Sequence, residues 1–188
     1  MDALMAMFVA ALLTQASDRN AWFVAILADR YQKPGLVIVA VTLVVVTGNA
    51  LAATAGAFMA PIMTPNARAL FLCLALVSAG SSALFALKRP AVMEKWRGGA
   101  FLAAIIGFLA IGLGDRTQFL TAAIAARGSM PAFAAIGATL GSLAILIPAA
   151  LAGEAARATA PMRAIGFAIG LTLILAGLIA GLSAMRLI

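Results

Sequence analysis

Gln15-Ala16-Ser17-Asp18-Arg19-Asn20 lies inside the first apolar stretch of the chain, and Gly112-Leu113-Gly114-Asp115-Arg116-Thr117 lies inside the fourth. An adjacent Asp-Arg pair is costly in a helix that crosses a bilayer. Each charge at the helix centre costs roughly 2.5–3.5 kcal/mol on insertion scales, so a charge kept there marks a functional position. The same pair occurs twice, 97 positions apart.

The surrounding sequence fits that setting. The chain has 188 residues, 65% hydrophobic and 10% charged, with a mean hydropathy of +1.13. A soluble domain carries about 25% charged residues, so this composition is that of an integral membrane protein. The net charge of +7 does not point to nucleic acid. The basic residues cluster in short links between apolar runs, which is a topology signal. Cys73 stands alone and sets no disulfide framework. The chain has no His, which removes the imidazole favoured by zinc, copper and nickel and leaves oxygen donors suited to manganese, calcium or magnesium. Met1 to Ala16 carries Asp2 where a signal peptide carries Lys or Arg, so this stretch is expected to stay as a helix.

Apolar runs long enough to span a bilayer fall at 3–28, 35–57, 67–87, 99–126, 131–151 and 164–185. A shift of 97 aligns Asp18 with Asp115, Arg19 with Arg116, Arg30 with Arg127, Pro34 with Pro131, Thr42 with Thr139 and Gly56 with Gly153. Matched breakers at helix ends are not explained by shared hydrophobicity. The expected fold is all-α: six transmembrane helices in one membrane domain, residues 1–87 and 99–188 being two three-helix repeats joined by a cytoplasmic link at 88–98. Three is odd, so the second copy enters from the opposite face, the inverted-repeat plan of many transporters.

The links after helices one, three and five hold eight Lys and Arg: Arg30, Lys33, Lys88, Arg89, Lys95, Arg97, Arg157 and Arg163. The other side holds three, Arg68, Arg127 and Arg186. The positive-inside rule then puts both termini outside the cytoplasm. Asp18 falls roughly 20–23 Å along its helix, and both acids come near the bilayer middle.

On continuous helices Gln15 and Asp18 share a face at i,i+3, as do Asp115 and Gln118. Two carboxylates and two amide oxygens, all hard donors, then converge. Gly112 and Gly114 read first as packing residues, with local unwinding as the alternative. Arg19 is placed to reach Asp115, and Arg116 to reach Asp18, as counter-charges in the empty site. Asn20, Thr117, Asn49 and Ser142 are candidates to complete the shell. For Asn49 and Ser142, hydrogen bonding between helices is the simpler reading. Ser78, Ser81 and Ser82 read as packing. The Gly-x-x-x-Gly pairs Gly137/Gly141, Gly166/Gly170 and Gly177/Gly181 suit close helix contact within the bundle or in a homodimer. No nucleophile–base arrangement or cofactor motif accompanies the charged pairs, so an enzyme is not expected.

The duplicated stretch resembles the E-x-G-D-[K/R]-[S/T] motif of the membrane family that includes the Golgi manganese/calcium transporter and its bacterial and chloroplast relatives. Gly114-Asp115-Arg116-Thr117-Gln118 matches it well. The resemblance implies exchange of Mn²⁺, or Ca²⁺, for protons in a bacterial inner membrane. Asp18 and Asp115 would be ligands, the ion would be substrate, and no resident cofactor is needed. The departures are specific. The motif Glu is Gln15 in one half and Gly112 in the other, its Gly is Ser17 and its Ser/Thr is Asn20 in the first copy. Two Asp and two Arg already sum to zero, so a divalent ion leaves an excess of two positive charges unless the arginines turn away. Two rival expectations follow: a transporter of a monovalent cation or another small solute, or a membrane scaffold that no longer transports.

Overall fold

The computed structural model describes residues 2–85, 99–112, 114–159 and 161–185. Among them are eight α-helices: α1 (Asp2–Ala16), α2 (Arg19–Tyr31), α3 (Pro34–Met59), α4 (Pro65–Leu84), α5 (Gly99–Gly112), α6 (Arg116–Arg127), α7 (Pro131–Thr159) and α8 (Met162–Ala184), with a short 3-10 turn at Ala60–Ile62. The expected link at 88–98, with Lys88, Arg89, Lys95 and Arg97, lies outside the described residues, as does Arg186.

Helices α3, α4, α7 and α8 are each long and apolar enough to cross a membrane, and α5 with α6 across a 64° bend makes a fifth candidate. Six membrane helices were expected; four appear as single long helices and the other two apolar runs are each broken. The run at 3–28 divides into α1 and α2, and the run at 99–126 into α5 and α6. The cause is local. Asp18 has extended backbone (φ −110°, ψ 157°) and its carboxylate accepts the Arg19 N–H, so it starts α2 as a cap instead of continuing α1. Gly114 has φ +78°, a conformation that costs most residues 1–2 kcal/mol and glycine almost nothing. No atom lies within 4 Å of where its Cβ would stand. Its role is therefore conformational, not the packing role read from sequence. Asp115 follows with extended ψ and opens α6.

The helices begin at residues 2, 19, 34 and 65, and again at 99, 116, 131 and 162, each 97 positions later. Their ends are tied off by side chains. Thr64 accepts the Ala67 N–H at 3.2 Å, and Arg68 donates to the Met63 and Ala60 carbonyls at 3.2 and 2.6 Å, relieving the unsatisfied groups of the α3–α4 corner. Helix α7 is interrupted at Gly153 (φ 75°, ψ −176°), and the freed Glu154 N–H donates to Asp29 Oδ2 at 2.6 Å. Asp29, read from sequence as a solvated link residue, is exposed but holds this break.

Helix α1 packs along α7 and α4 along α8. The small-residue pairs are used inside the chain: Gly137 and Gly141 meet the Leu4 and Phe8 carbonyls of α1, and Gly166, Gly170, Gly177 and Gly181 meet α4. One apolar cluster joins Val24, Val41, Phe108 and Leu146, and a second joins Met7, Ala79, Leu120 and Leu173. Large apolar side chains such as Phe58, Ile62, Leu51 and Leu151 face outward, as a chain whose solvent is lipid requires. Buried polar side chains are concentrated instead at the two breaks: Thr14, Gln15, Ser17, Asp18, Asn20, Thr117 and Thr121.

Candidate functional site

Because the helices stop at Asp18 and Asp115, both acids stand at the start of a new helix, where N–H groups are unpaired and carboxylates are favoured. Asp18 is buried and Asp115 half-buried. One side-chain amide joins them: Asn20 Nδ2 lies 3.1 Å from Asp18 Oδ2 and 2.9 Å from Asp115 Oδ2. The two oxygens are therefore no farther apart than those two distances laid end to end. Asn20 is itself 2% exposed.

Gln15, from the last turn of α1, crosses to the other break. Its Nε2 donates to Asp115 Oδ2 at 3.2 Å and to Thr117 Oγ1 at 3.2 Å, while its buried Oε1 has no hydrogen-bond partner. A buried carbonyl oxygen without a hydrogen-bond partner is costly, and it is a hard donor of the kind a cation takes. Thr117 also shares a hydrogen bond with Thr14 at 3.0 Å.

The expected reciprocal ion pairs are half formed. Arg116 Nη2 lies 3.1 Å from Asp18 Oδ1 and 2.6 Å from the Ser17 carbonyl, and Nη1 donates to Ser82 Oγ at 3.1 Å. Arg19 is exposed and makes no ion pair with Asp115 among the described residues. Both arginines are the first residues of their helices, but Arg116 reaches across to the other break while Arg19 is exposed.

Gln118 does not join the carboxylates either. Its Oε1 accepts the Gly114 N–H at 3.1 Å, so it caps the break beside it, and its amide packs on Gly48. The face it was to share with Asp115 assumed a continuous helix. Asn49 donates to Thr139 Oγ1 at 3.3 Å, a link between α3 and α7. Ser142 is buried and its hydroxyl has no hydrogen-bond partner.

Thr14 and Ser82 were not singled out from sequence as site residues. A lone hydroxyl in an apolar helix reads as packing, and nothing in α1 or α4 alone says that α6 lies opposite. The only sequence signal was the placement of Thr14 beside Gln15.

A cleft of about 510 Å³ lies beside this centre, lined by Trp22, Ala83 to Phe85, Met162, Arg163, Gly166 and Phe167. Ser82, which holds Arg116, is next in sequence to its wall. No group of three or more His, Cys, Asp or Glu occurs among the described residues. The donors on offer are two carboxylates, an amide oxygen and hydroxyls, a hard set suited to oxygen-seeking cations.

Comparison with known proteins points the same way. Residues 100–187 match a family model described as "Divalent cation/proton antiporter GDT1". A protein of Vibrio cholerae serotype O1 named "Putative manganese exporter" is 28% identical over 143 residues, covering 76% of this chain and 72% of that one. No solved structure matches. Both descriptions are of transporters, not enzymes, which is the class the sequence indicated. Over residues 100–187, a little under half of its length, the chain is similar to the GDT1 family of divalent cation/proton antiporters.

Proposed function

We propose that the chain is a secondary transporter of a divalent cation, Mn²⁺ first and Ca²⁺ second, exchanged for protons at a centre built on Asp18 and Asp115. The observation that carries this reading is the Asn20 amide bonded to both carboxylates. It gathers like charges from two distant stretches, an arrangement that a structural role would avoid and a cation would reward. The unpartnered Gln15 Oε1 supplies a neutral donor. The family description supports proton exchange, and the relative's name supports manganese. The ion is cargo, and no resident cofactor is needed.

In this reading α1 with α2, and α5 with α6, are each one interrupted crossing. That gives six spans in two halves of opposite orientation, residues 1–87 and 99–188. The 97-residue register of helix starts supports it, and the interrupted helices fit transporters that place their site at the repeat interface. The Lys and Arg distribution favours an inner-membrane protein with both termini outside.

A monovalent cargo is the second reading. With Arg19 facing outward, the cluster of Asp18, Asp115 and Arg116 lacks one positive charge. Flux into proteoliposomes, measured for Mn²⁺, Ca²⁺, Na⁺ and K⁺ with and without a pH gradient, decides between them. Mn²⁺ uptake driven by the gradient and abolished by Asp115→Asn is expected. Flux of monovalent ions alone would establish the second reading, and no flux of any ion would overturn both.

A further inference from the structure

We infer that the Arg116 guanidinium is a tethered stand-in for the transported cation, which must displace it from Asp18 to bind. The inference rests on the transport reading above and adds to it the residue that sets which charge the site accepts.

The contacts of Arg116 are those a hard cation would seek: the Asp18 carboxylate, the Ser17 carbonyl freed where α1 stops, and the Ser82 hydroxyl. All three are oxygens, and the Arg116 side chain is only 11% exposed. A charge so placed is held by its partners, not by water. Its register mate Arg19 is exposed and carries no such contacts among the described residues, so one arginine and not two belongs to the centre.

Charge then decides. Two carboxylates and Arg116 leave one negative charge. A divalent ion entering with Arg116 in place would leave one uncompensated positive charge in a low-dielectric site, which is unfavourable. If Arg116 withdraws, two positive charges meet two negative ones. A monovalent ion that expelled Arg116 would merely replace one positive charge with another. It would gain nothing and lose three hydrogen bonds, so Arg116 selects for doubly charged cargo. The geometry supplies a place to withdraw to. Ser82 already holds Nη1 at 3.1 Å, and its neighbour Ala83 lines the cleft of about 510 Å³, the open space on that side of the guanidinium.

The test is Mn²⁺ binding to the full-length protein in detergent, read from the paramagnetic resonance signal of free Mn²⁺. Asp115→Asn serves as the control for the transport reading. Hydrogen bonds to charged groups contribute enough that removing the competitor should tighten Mn²⁺ binding in Arg116→Gln by at least about tenfold. Arg116→Lys, which keeps the charge, should stay close to the parent. Added methylguanidinium should compete with Mn²⁺ in Arg116→Gln and not in the parent. In the unaltered protein, saturating Mn²⁺ should increase modification of Arg116 by phenylglyoxal, followed by peptide mass spectrometry, so the test holds even if a variant fails to fold. Equal or weaker binding by a folded Arg116→Gln, or protection of Arg116 by Mn²⁺, overturns the inference and leaves the transport reading standing. Absence of Mn²⁺ binding in the parent and in Arg116→Gln overturns both.

Discussion

The Asn20 side-chain nitrogen lies between two carboxylate oxygens that would otherwise repel, and donates to both. Each of those hydrogen bonds has a charged acceptor, the kind worth about 1.5–3 kcal/mol. Asn20→Ala should therefore spread the acids apart and weaken Mn²⁺ binding by about tenfold or more, measured by the same resonance titration. Asp18 serves two purposes that substitution separates. Its carboxylate is a candidate ligand, and it also caps α2 through the Arg19 N–H at 2.6 Å. Asparagine caps a helix about as well as aspartate, whereas alanine loses about 1 kcal/mol. Both Asp18→Asn and Asp18→Ala should lose Mn²⁺ binding and the ion pair with Arg116, and Asp18→Ala should melt lower than Asp18→Asn because it alone also loses the cap. Equal melting of the two variants would mean the cap contributes nothing to α2.

The breaks themselves are the feature that hydropathy hid. The runs at 3–28 and 99–126 are apolar almost throughout, and a window that averages over them reads one helix each. What divides them is conformational: the capping habit of Asp18 and the positive φ of Gly114. Gly114→Ala adds a methyl group where there is open space, so its cost is backbone strain alone. It should destabilise the protein by about 1–2 kcal/mol, seen as a lower melting temperature, and stability equal to the parent would show that the break survives without glycine. The long helices α3, α4, α7 and α8 were legible because an apolar run with prolines at its ends admits few alternatives. The acids were legible because their cost in a membrane demanded a use. The contacts of Gln118 with Gly114, of Ser82 with Arg116 and of Thr14 with Thr117 were not legible. Each depends on a break or on a facing helix that no single segment encodes.

At the scale of the whole molecule, the two halves match in register but not in contact. Trp22 and Phe119 occupy corresponding positions, 97 apart, each one turn into the helix that follows its break. Phe119 packs edge-on against Phe71 of α4, ring centres 5.3 Å apart, and α6 lies along α4. Trp22 instead lines the open cleft at the α4 and α8 ends, and α2 forms no comparable seam with α8 among the described residues. The register mate of Phe71 is Ala168, too small to meet Trp22 in the same way. One flank of the centre is thus sealed by an aromatic pair while the other is open. Alternating access opens and closes opposite sides of a transport site in turn; on the transport reading proposed above, the Phe71–Phe119 contact would part for the ion to leave on its side. Paired cysteines at positions 71 and 119, in a Cys73→Ser background, should lose flux when joined by a short thiol crosslinker. Each single cysteine treated alike should retain it. Over the same cycle, a cysteine at Ala83 should react with a water-soluble maleimide from one side of the membrane only. Undiminished flux through the crosslinked protein would mean that the aromatic pair closes no part of the ion's path, and that the sealed flank is a permanent seam of the bundle.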